Sequence, residues 1–153
     1  MTHLSYRSIT SVTQEVSLWV AGGFLTLGYL GFLPWVTKNV ETLSIWSERS
    51  SAELLGVFHV SLLHNAVHLG LGVGALVAAG ADRYARALLA TAGVALMMLV
   101  MYGRLTVDPV LNAVVPVATA DAWLHAVLGF AMFAAAVCAP GDVRGERSRG
   151  DGR

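Results

Sequence analysis

The chain has 153 residues, a length that suits one domain. Apolar residues make up 56% of it and charged residues 13%, about half the ~25% charged share of soluble proteins, too little to cover so small a domain in water. Ten basic and ten acidic residues cancel, which removes the basic surface that nucleic-acid binding requires.

A helix needs ~20 apolar residues to cross ~30 Å of hydrocarbon. Val16 to Val36 is the first such stretch; it carries no charge and closes on Pro34-Trp35, an interfacial anchor. Its length, and the absence of a small-residue cleavage site after it, argue against a signal peptide. Residues 37–52 form a polar loop, with Trp46 at the interface. The second span runs from about Glu53 to Ala79, and Gly80 to Arg83 make a short turn. The third runs from about Tyr84 to Tyr102. Beyond it, Pro109 and Pro116 oppose a regular helix, so residues 103–120 read as a surface-packed or re-entrant loop. The fourth span is Asp121 to Ala139, with Asp121 as N-cap and Pro140-Gly141 as stop. Cys138 reads as a small buried hydrophobe rather than a reactive thiol.

These elements divide the chain into an N-terminal segment (1–15), a four-span domain (16–139) and a polar, disordered tail (140–153). Arg7, Arg83, Arg86, Arg144, Arg147, Arg149 and Arg153 fall on one side; Lys38, Arg49 and Arg104 fall on the other. Seven cations against three place both termini in the cytoplasm of a bacterial-type inner membrane, with the tail deciding the balance. Gly22, Gly23, Gly28 and Gly31 in the first span, and Gly70, Gly72 and Gly74 in the second, allow close helix approach.

The second span carries the most chemistry. At 100° per residue, Ser61, His64, Asn65, His68 and Gly72 share one stripe, while His59 lies about 180° from His68. Polar groups are costly in hydrocarbon, so the stripe should face the bundle interior. On the fourth span Asp121, His125 and Gly129 share a face. Both spans begin on the outer side, so His64 is placed to meet His125 or Asp121. One reading makes His64, Asn65, His68, Asp121 and His125 a hydrogen-bonded network that sets helix register. A second makes His64 and His68, at i, i+4 spacing, metal ligands with His125 or Asp121 as the third. A third holds haem b between histidines on two helices. A nucleophile elbow, a phosphate-binding glycine loop and paired carboxylates within a span are all missing from the sequence.

Three segments resemble a family of small actinobacterial four-helix membrane proteins catalogued as a domain of unknown function. They are Gly31-Phe32-Leu33-Pro34, His64-Asn65-Ala66-Val67-His68-Leu69-Gly70, and Val115-Pro116 followed by Thr119-Ala120-Asp121 and Trp123-Leu124-His125. The resemblance covers about residues 16–139 and implies four spans and a membrane location, but no activity. The family pattern has Asn where this chain has Ala118 and Ala122, so fewer polar partners surround Asp121.

The sequence therefore reads as an all-α integral membrane four-helix bundle, non-enzymatic, of structural or interaction type and without a cofactor. The alternative is a haem- or metal-binding protein in electron transfer or redox sensing, with His64, His68 and His125 as ligands. The expected partners are the lipid bilayer and either a second copy or another membrane protein.

Overall fold

The computed structural model describes residues 11–105 and 119–140, which form four helices: α1 (Val12–Leu30), α2 (Leu62–Ala78), α3 (Asp82–Leu105) and α4 (Thr119–Cys138). The expectations for residues 1–10, 106–118 and 141–153, including the re-entrant loop and the tail, lie outside the described residues. Each helix buries a stripe at three- and four-residue spacing: Ser17, Ala21, Phe24 and Gly28 on α1, and Ala122, His125, Gly129, Met132 and Ala136 on α4. Cys138 is out of phase with the α4 stripe and is exposed, which corrects its reading as a buried hydrophobe. α1 packs most extensively on α2, and α3 on α4. Phe24, Leu89, Leu96, Met132 and Ala136 form the core between the two pairs.

The span boundaries move, most at the first two; the third helix runs on to Leu105 and the fourth starts at Thr119, so residues 103–105 and 119–120 of the expected loop are helical. The first helix begins earlier than Val16, because Ser11 and Gln14 form a capping box, and it ends at Leu30, before Pro34. The second begins at Leu62 rather than Glu53. Ser61 is its N-cap, accepting the His64 N–H at 3.1 Å. The residues before it form an antiparallel three-stranded sheet, β1 (Thr37–Lys38), β2 (Glu53–Leu54) and β3 (Phe58–His59), pairing Thr37 with Leu54 and Glu53 with His59. Leu55 and Gly56 take positive φ in the β2–β3 turn, which ends any helix there. Ala52, Leu54 and Val60 in this segment pack with Leu27 and Leu30 of α1.

The other end of the bundle is held by a polar clamp. Asp82, first residue of α3, accepts hydrogen bonds from Ser11 (2.5 Å) and Thr13 and pairs with Arg86 at 3.7 Å. Arg86 donates to the Ala136 (2.6 Å) and Ala139 (3.2 Å) carbonyls, satisfying the free C-terminal end of α4 and its dipole. Arg86→Leu is expected to lower stability by about 1–2 kcal/mol, read as a lower melting temperature in detergent. An unchanged melt would show that water serves those carbonyls equally well.

Among the described residues, two helices are long and apolar enough to cross a membrane: Asp82–Gly103 within α3 and Ala120–Cys138 within α4. α2 is apolar but shorter, at 17 residues.

Candidate functional site

The end of α2 nearest the sheet carries two histidines one turn apart, and α4 presents a third. The ring centroids of His64 and His68 are 4.3 Å apart, those of His64 and His125 5.8 Å, and those of His68 and His125 6.2 Å. One ring nitrogen from each lies within 4.8 Å of the others. His68 and His125 are buried and His64 is half-buried. Phe24 of α1 closes the back of the cluster, with its ring 5.2 Å from His68. The three imidazoles line one side of a cavity of about 200 Å³. Its other walls are apolar: Leu63, Val67 and Leu71 from α2, Leu96 and Leu99 from α3.

The other polar residues of the expected cluster go elsewhere. Asn65 is fully buried at the α1–α2 contact, against Gly31, where a methyl group would overlap its amide. Neither its amide oxygen nor its nitrogen has a hydrogen-bond partner among the described residues. Ser61 caps the helix instead of joining the stripe. Asp121 is not the N-cap of α4, since the helix already includes Thr119; it is buried in the first turn and accepts the His59 N–H at 3.3 Å. His59 belongs to β3 rather than to the helix, so the helical wheel does not describe it. Its ring contacts the Ser47 carbonyl at 3.3 Å. Among the described residues no side-chain hydrogen bond joins the three imidazoles to one another, to Asn65 or to Asp121.

Two contributions were missed by sequence reasoning. The α3 wall of the cavity, Leu96 and Leu99, carries no polar marker that could have shown it. The sheet did leave a signal: Gly56 interrupts the proposed span, just before the strand-forming run Val57-Phe58-His59-Val60.

Fold and site together define a four-helix protein with three histidines gathered beside an apolar cavity near one end of the bundle. Residues 14–138 match the profile of a family described as a domain of unknown function (DUF4383), and the chain belongs to that family. No curated protein and no solved structure matches it.

Proposed function

We propose that the chain is a four-span integral membrane protein that holds a divalent transition-metal ion, zinc first among the candidates, on His64, His68 and His125. The observation that carries this reading is the cluster itself: one ring nitrogen from each of three imidazoles, all within 4.8 Å of one another and supplied by two helices. Register networks work by mutual satisfaction of buried polar groups, and these rings do not satisfy one another. Three neutral imidazoles with an open fourth position are a recurring zinc donor set, with Zn–N bonds of about 2.0–2.1 Å. Haem b fits less well, because the rings gather on one side of a cavity of about 200 Å³ instead of facing each other across a slot.

The membrane reading is supported by where the apolar surface lies. The best spanning windows of α3 and α4 are only 22% and 33% buried. A core helix of a soluble protein would bury most of such a surface, so these faces call for lipid. α2 is about 25 Å long at 1.5 Å per residue, short enough to need a locally thinned bilayer or the sheet at its end. The positive-inside arrangement puts the clamp end, with Arg83 and Arg86, in the cytoplasm and the sheet outside. In a Cys138→Ser background, Lys38→Cys is expected to react with an impermeant maleimide in intact cells, and Arg83→Cys only after lysis. The reverse pattern would invert the topology.

The metal reading is tested on protein purified in mild detergent, dialysed against zinc and analysed for metal. One ion per chain is expected. A folded sample that stays metal-free would return the chain to the structural or interaction class.

A further inference from the structure

The cavity beside the histidines has the size, lining and setting of a site for one aromatic ring. An apolar cavity of about 150 Å³ accommodates benzene; this one, at about 200 Å³, leaves room for a substituent or two. Among the described residues its walls are Leu and Val side chains, and its only side-chain nitrogens are those of the three imidazoles. All three stand on one side, so a ligand there is apolar over most of its surface and polar at one edge. Val67, on the cavity wall, is 50% exposed, and α2 and α3 make much less contact than either of the two main helix pairs. On the membrane reading the site is therefore reached sideways, between α2 and α3, from the lipid.

We propose that the cavity binds a bilayer-soluble phenolic ring, with its hydroxyl hydrogen-bonded to the imidazole cluster and its ring against the leucines. An imidazole with a free nitrogen accepts from the phenol O–H. An acyl chain could fill the same volume but would leave the imidazoles unpaired, which is unfavourable in an apolar setting. The proposal rests on the membrane reading for its route of access and concerns the metal-free cluster, since an imidazole whose lone pair is on an ion cannot also accept from the hydroxyl.

The test uses chelator-treated full-length protein in detergent, with 4-fluorophenol and fluorobenzene as probes observed by fluorine NMR. The phenol is expected to bind about five- to tenfold more tightly than fluorobenzene, the contribution of one hydrogen bond made in an apolar site. Val67→Trp, at the exposed rim where the fold should tolerate it, is expected to abolish specific binding of both. The triple variant His64→Leu, His68→Leu, His125→Leu should keep ring binding and lose the preference for the hydroxyl. Equal affinity for the two probes would overturn the proposal and mark the cavity as an acyl-chain groove. Binding that survives Val67→Trp would overturn it as well, as partition into the micelle. Metal analysis of the untreated preparation reports separately on the three-histidine ion site, so the two readings fail independently.

Discussion

His68→Ala protein is expected to lose the bound metal while remaining folded, with occupancy falling from one ion per chain to less than a tenth. His68 is one of only three donors, and removing it leaves two imidazoles, too few to hold an ion against a competing chelator. His125→Ala should do the same from the other helix, which a fortuitous pair on α2 alone would not predict. Asn65→Ala, by contrast, should leave occupancy unchanged, because the Asn65 amide faces Gly31 rather than the cavity. Ligating imidazoles usually donate their second N–H to an outer partner, and losing such a partner typically costs 10–100-fold in affinity. Among the described residues these histidines have none, so the ion should be removable with an ordinary chelator. Isothermal titration of the stripped wild type and both variants with zinc provides the measurement. Retained stoichiometric metal in His125→Ala would sink the three-histidine site.

The second large effect is expected at Gly93. A Cβ there would lie 2.8 Å from the Gly129 carbonyl oxygen and 2.8 Å from the Phe133 backbone nitrogen. These are helix backbone atoms, so the α3–α4 pair must separate to admit a side chain. Overpacking typically costs about 1–3 kcal/mol, occasionally more, and Gly93→Leu should reach or exceed the top of that range. The variant is expected to melt well below the wild type in detergent or to fail to accumulate. Gly22 provides the control, since nothing lies within 4 Å of a Cβ built there. Gly22→Ala should be neutral or stabilising, because alanine is the better helix former by about 1 kcal/mol. Equal melting of the two variants would mean that α3 and α4 are not in the contact described.

The same contrast separates what was legible in the sequence from what was not. A glycine's presence is visible in the chain, but what faces it is not. Gly28, Gly31 and Gly72 lie against neighbouring side chains or backbone as expected, whereas Gly22, Gly23 and Gly70 meet nothing. Gly93 and Gly129, where the backbones of α3 and α4 lie against each other, depend on the relative rotation of those helices.

By itself the sequence determined the four apolar helices, the family, and the i, i+4 spacing that stacks His64 on His68. All of these follow from local composition and from the 3.6-residue turn. Only the tertiary structure decided that residues 53–54 and 58–59 are strands, because a short apolar run suits either a strand or a helix until its pairing partner is known. Tertiary packing likewise turned Asn65 toward Gly31, drew Asp121 to the His59 backbone and brought His125 beside His64. Neighbours on one helical stripe still differ by tens of degrees, and which of them meets a given partner is set by how the helices pack.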